Sequence, residues 1–114
     1  MKNFKILTPA YDVSGGDTNF ETVPFEGDNF IGVQIYYTSL NQADHKIKLR
    51  ESLDGVNFLD SEDADGNTIE MTINNAIASD ILKVYNFNTG YIGLSFVEGT
   101  TGTGTIDKIK IITE

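Results

Sequence analysis

Apolar and polar residues alternate with a period of two along most of this chain. The sets Ile31/Val33/Ile35/Tyr37, Ile47/Leu49, Ile69/Met71/Ile73, Leu82/Val84 and Ile92/Leu94/Phe96 each place their side chains on one side of an extended backbone. A 3.6-residue period is hard to find. Turn-forming clusters separate the apolar sets: Gly15-Gly16, Glu26-Gly27-Asp28-Asn29, Asn41-Gln42-Ala43-Asp44, Asp54-Gly55, Asp65-Gly66-Asn67, Asn88-Thr89-Gly90 and the loop from Gly99 to Gly104. The pattern predicts an all-β fold, an antiparallel β-sandwich of jelly-roll or immunoglobulin-like type with about eight strands. Phe58, Ile109 and Ile111 join the alternating sets as expected inner-face residues.

Two segments read as hairpins. Lys46 to Phe58 is expected to run strand, turn, strand, with Val56-Asn57-Phe58 resuming the ladder. Asp54 can accept from nearby backbone amides there, and Gly55 tolerates the positive φ of a tight turn. Tyr91 to Ile112 is expected to be a second hairpin with the Gly99–Gly104 loop at its tip. In the last strand Ile109 and Ile111 share one parity and Ile106 and Ile112 the other, so a bulge near Asp107-Lys108 is predicted. Asn74 to Asp80 reads as a loop or a single helical turn. Residues 1–29 pattern less regularly. Phe4 to Thr8 is a candidate first strand, Pro24 places its segment at a sheet edge or a strand end, and the whole stretch reads as an N-terminal arm or edge segment of a single domain spanning 1–114.

A strand ending in Ser-x-Asp-Gly-x-Asn-aromatic (Ser52 to Phe58) is followed by the strand Tyr91-Ile92-x-Leu94, a Gly/Thr turn and a last strand. This order resembles small β-sandwich virion proteins of tailed bacteriophages, the head-decoration, auxiliary capsid and fibre modules, over roughly residues 30 to 113. The sequence departs from that pattern at Phe58, where similar modules often carry Trp, and at Gly93, where many carry Arg. The resemblance implies a structural virion component that binds the capsid shell as an auxiliary or head-decoration protein. Its expected partners are the major capsid protein or other virion proteins, with homo-oligomers left open, and its expected place is the virion after synthesis in the host cytoplasm. A neck or tail adaptor and a carbohydrate-binding module for host attachment are the alternatives.

Composition narrows the function further. The 114 residues contain no cysteine, so neither a disulfide framework nor a thiolate metal site is available. Seventeen acidic against eight basic residues give a net charge of -9, which disfavours a nucleic-acid partner, because neutralising phosphate requires Lys and Arg. No apolar run approaches the length of a membrane span, and the first residues, Met1 to Leu7, lack the apolar core of a usual signal peptide, so neither membrane insertion nor secretion by that route is expected.

The inventory for catalysis is thin. The only histidine, His45, sits beside Asp44 at the start of a strand and is expected to be an exposed turn residue; no strand-to-helix nucleophile elbow is present, and no enzyme or cofactor is expected. The acidic run Asp60 to Asn67 places oxygen ligands at Ser61, Asp63 and Asp65 in EF-hand register, but Thr72 stands at the terminal bidentate position. No metal site is therefore expected, and a looser calcium site from Asp60, Asp63 and Asp65 is the alternative. For a glycan site the candidates are Tyr85 and Tyr91, the tyrosines around the 86–90 turn. For an assembly interface they are Phe20, Val23 and Phe25, which have less obvious places in a core, with capping of one open end of the sandwich as the equal alternative. The acidic 60–65 loop and the 99–104 loop are expected to project into solvent.

Overall fold

The computed structural model describes residues 3–25 and 29–114, and the expected turn at Glu26-Gly27-Asp28 lies outside them. The alternating segments form two antiparallel sheets packed face to face. In the first sheet β1 (Asn3–Leu7) pairs with β11 (Thr105–Thr113), β11 with β5 (Phe30–Thr38) and β5 with β9 (Ser79–Tyr85), while the two-residue β2 (Tyr11–Asp12) also pairs with β11. In the second, β10 (Tyr91–Val97) pairs with β6 (Lys46–Ser52); β3 (Thr18–Asn19) and β4 (Val23–Pro24) flank β10, and β7 (Leu59–Asp60) and β8 (Glu70–Thr72) flank β6. Among the described residues there are eleven strands, five of them only two or three residues long. Apart from a 3-10 turn at Val13–Gly15, no helix occurs among the described residues, and 75–78 is a turn leading into β9.

The centre of the core is the one the alternation predicts. Ile31, Val33, Ile35 and Tyr37 of β5 face Ile47 and Leu49 of β6 and Ile92, Leu94 and Phe96 of β10 across the interior, and all are buried. Ile69, Met71, Leu82 and Val84 pack against this core while partly exposed. Each such large apolar side chain removed from water contributes about 1.5–3 kcal/mol, so the sandwich is held by packing without a covalent staple. The predicted bulge is present: Ile106 pairs with Tyr37 and Lys108 with Tyr36, leaving Asp107 as the extra residue. That one-residue insertion lets Ile106 share the buried face with Ile109 and Ile111.

The second expected hairpin is not one. β10 belongs to one sheet and β11 to the other, so the Gly99–Gly104 loop is a corner that carries the chain between layers. Its residues Gly99, Thr100, Thr101 and Thr103 are exposed, as expected, although the loop is not free. It is clamped to the 39–45 corner, which crosses between the same sheets: the Asp44 carboxylate accepts from the Thr100 amide at 2.7 Å and its hydroxyl at 2.5 Å, and Asn41 Oδ1 accepts from the Thr103 amide at 2.8 Å. A side chain at Gly99 would collide with Asp44, so this close approach requires glycine. The Thr100 hydroxyl and amide hold the Asp44 carboxyl below its usual pKa.

Candidate docking surface

His45 is fully buried, contrary to the exposed turn residue expected. Its ring lies against Phe96 with centroids 5.1 Å apart, and Nδ1 accepts from the Gly99 amide at 3.0 Å. Position 45 shares the parity of Ile47 and Leu49, a signal in the sequence that points inward. Among the described residues its Nε2 has no hydrogen-bond partner.

The proposed interface anchors are also interior. Phe20, Val23 and Phe25 are buried, with Phe20 edge-on to Tyr11 and Phe25 edge-on to Phe87. They reach the core because β3 and β4 pair with β10, so the N-terminal segment runs as edge strands along both sheets and closes the open side of the sandwich. Strands of two residues are too short to leave a periodic signature.

The two glycan candidates do not meet. Tyr85 stands on the outer face of the first sheet, its ring 5.1 Å from Phe30, whereas Tyr91 belongs to the second sheet and packs its ring against Gly55. The three calcium candidates do not converge either. Asp60 lies 3.7 Å from both Lys48 and Arg50, and Asp63 accepts from the Asp65 and Asn67 amides to close its own turn. Among the described residues no group of three or more His, Asp or Glu is placed to hold a metal ion.

Phe58 is not an inner-face residue, and the strand resumes only at Leu59. The ring lies over Gly93 on the outer side of the second sheet, with the Arg50 guanidinium 6.0 Å from its centroid and Arg50 Nη2 donating to the Phe58 carbonyl at 2.8 Å. The missing side chain at Gly93 leaves the space that this ring fills. Beside it, Asp17, Asn19, Lys48, Asp60 and Ser95 line a polar groove of about 330 Å³, where Ser95 Oγ donates to Asn19 Oδ1 at 2.6 Å.

A further set of exposed apolar residues stands on the other sheet. On the outer face of the first sheet Phe4, Ile6, Ile81 and Tyr85 are each more than half exposed. Phe4 lies opposite Ile112, and Ile6 opposite Lys110, on the strand at the sheet's edge. At mid-face Gly32 leaves a shallow apolar groove of about 170 Å³ between Phe30, Ile81 and Ile112, rimmed by Lys83 and Lys110. Lys108 sits with Nζ 4.4 Å from the centre of the Tyr36 ring. Three of the chain's eight cations thus stand on one face, and no carboxylate lines its groove. Contiguous apolar exposure of this kind on a sheet with a free edge marks a docking surface.

The fold places the chain among all-β proteins built as two-layer antiparallel sandwiches. No protein-family model matches it, and no curated protein matches it. Among solved structures it is similar to dimeric latent PorU from Porphyromonas gingivalis, with a TM-score of 0.49 and 14% identity over 98% of this chain. The chain spans 12% of the length of that PorU chain, and at this identity and score nothing about PorU transfers to it.

Proposed function

We propose that the chain is a structural virion component of a tailed phage, an auxiliary capsid or head-decoration protein that docks on the capsid shell. The observation that carries the reading is the exposure of Phe4 and Ile6 on β1, an edge strand paired on one side only. Exposed apolar side chains beside unpaired backbone groups contribute nothing to folding but suit strand addition and burial against a partner. The resemblance of Ser52–Phe58 and Tyr91–Leu94 to phage virion modules supplies the identity of that partner. The mechanism is docking: the β1 edge contributes backbone hydrogen bonds, and Phe4 and Ile6 contribute apolar area. Co-sedimentation with assembled shells tests it. The wild-type chain pellets with shells and the double variant F4E/I6E does not; equal recovery of both with the shells rejects this docking surface.

A carbohydrate-binding module is the second reading, favoured by the polar groove at Asn19, Lys48, Asp60 and Ser95 with the Phe58 ring beside it. Hydrogen-bonding side chains next to an aromatic face are what sugar recognition needs. A glycan array that binds wild type and loses N19A/K48A supports this reading, and a silent array removes it.

A further inference from the structure

The Ser52–Leu59 connection is more ordered than a turn between short strands requires. The Asp54 carboxylate accepts from the Val56 amide at 2.8 Å, the Asn57 amide at 2.9 Å and Asn57 Nδ2 at 2.9 Å, and Ser52 Oγ accepts from the Gly55 amide at 2.9 Å. Gly55 takes φ +78°, and the Tyr91 ring lies directly beneath it. Yet this rigid loop displays apolar residues to solvent: Leu53 is 86% exposed, Val56 79% and the adjoining Leu59 75%. The hydrogen bonds thus fix an apolar knob whose side chains stay outside the core. A binding element fixed in advance loses little conformational entropy on association.

The same molecule carries a matching socket. Residues 51–60 hold three carboxylates and no cation; Asp60 is met by Lys48 and Arg50 at 3.7 Å, which leaves Glu51 and Asp54 to set the charge beside the tip. The groove over Gly32 on the opposite sheet is apolar at its floor, has Lys83 and Lys110 at its rim and is lined by no carboxylate. An acidic collar around an apolar tip complements a basic rim around an apolar groove. That collar also repels an anionic lipid surface, which argues against a membrane as the occupant.

We infer that the occupant of each surface is a second copy of this chain, the Leu53/Val56 knob of one molecule seating in the Phe30/Gly32/Ile81 groove of the next. Knob and groove lie on different sheets, so the contact is head-to-tail and each pair keeps one free knob and one free groove. Copies therefore add in rows or rings. The inference deepens the decoration reading, resting on its premise of many copies side by side, and it leaves the β1 edge for the shell.

Sedimentation velocity on the full chain tests it with two variants at exposed positions, L53S/V56S without the knob and I81E/K83E with a repelling groove. Wild type is expected to grow beyond one 12.5 kDa chain as concentration rises, and each variant to stay monomeric. Mixed in equal amounts, the two variants are expected to give a dimer and nothing larger, because one intact knob then meets one intact groove. Wild type that stays monomeric at about 1 mM overturns the inference. So does association that survives both variants, or a mixture that stays monomeric while both variants keep wild-type circular dichroism and melting. Shell binding by the monomeric variants is read separately, so loss of self-association and failure of the docking reading are told apart.

Discussion

The Gly99 amide donates to Nδ1 of His45 at 3.0 Å, which ties the corner between β10 and β11 to the start of β6. An imidazole that accepts at Nδ1 while neutral carries its proton on Nε2, so the only histidine serves as a buried acceptor and packing residue. Replacing His45 by Ala removes the acceptor and opens a cavity beside Phe96. The expected loss is about 3 kcal/mol, read as a lower urea midpoint with the β-type circular dichroism retained. An unchanged midpoint contradicts the assignment.

Gly99→Ala tests the other partner of that bond. The added methyl meets Asp44, so the clamp between the two corners must open or shift. A loss of about 1–3 kcal/mol is expected in the same denaturation experiment.

Asp54 makes the knob loop sensitive to acid. The Asn57 and Val56 amides, followed by the side chains of Asn57 and Ser52, hold its carboxyl well below the usual value of 3.8. Because the folded-state pKa is depressed, the contribution is present in full above the unfolded value and is lost as pH falls from 3.8 towards the folded value. Amide exchange at Val56 and Asn57, corrected for intrinsic rates, should therefore accelerate in wild type as pH drops through this window. In Asp54→Ala these amides should already be fast near neutral pH, with no further step.

Tyr37 anchors the start of β9. Its hydroxyl donates to the Asp80 carboxylate at 2.5 Å and lies within bonding reach of the Asn74 carbonyl, and burial followed by the Asp80 bond raises the phenol pKa. Tyr37→Phe should cost about 1–2 kcal/mol and speed amide exchange over 74–80. A change confined to the outer face, such as Tyr85→Ser, should stay within about 0.5 kcal/mol.

The bulge gives a test of register. Deleting Asp107 removes the extra residue and leaves Ile106, Ile109 and Ile111 in simple alternation on the buried face, with Lys108 and Lys110 still outward. Cooperative unfolding is expected to survive the deletion. A deletion variant that no longer unfolds cooperatively contradicts the assigned register.

Much of the layer structure was legible in the sequence, because alternation reports which side chains share a face. Ile31 to Tyr37, Ile47 and Leu49, and Ile92 to Phe96 were placed correctly, and the parity conflict around Ile106 located the bulge. Alternation does not report which sheet a strand joins, so the glycines of 99–104 read as a hairpin tip when they form an inter-sheet corner. Nor does it reach two-residue strands. The inward position of Phe20, Val23 and Phe25, set by the pairing of β3 and β4 with β10, therefore leaves no periodic sign in the sequence. The docking face is not legible in the sequence because Phe4, Ile6, Ile81 and Tyr85 lie far apart in the chain and come to one face only through the β1-β11-β5-β9 pairing. The knob was half visible, since Asp54-Gly55 marked the turn, but nothing local shows that Leu53 and Val56 point outward.

Electron microscopy of shells assembled with and without this chain tests the central claim most directly. The docking account predicts added density of about 36 × 27 × 24 Å at regular lattice positions, with the β1 edge turned towards the shell and the density lost with F4E/I6E. Shells that look the same with and without the chain would contradict it.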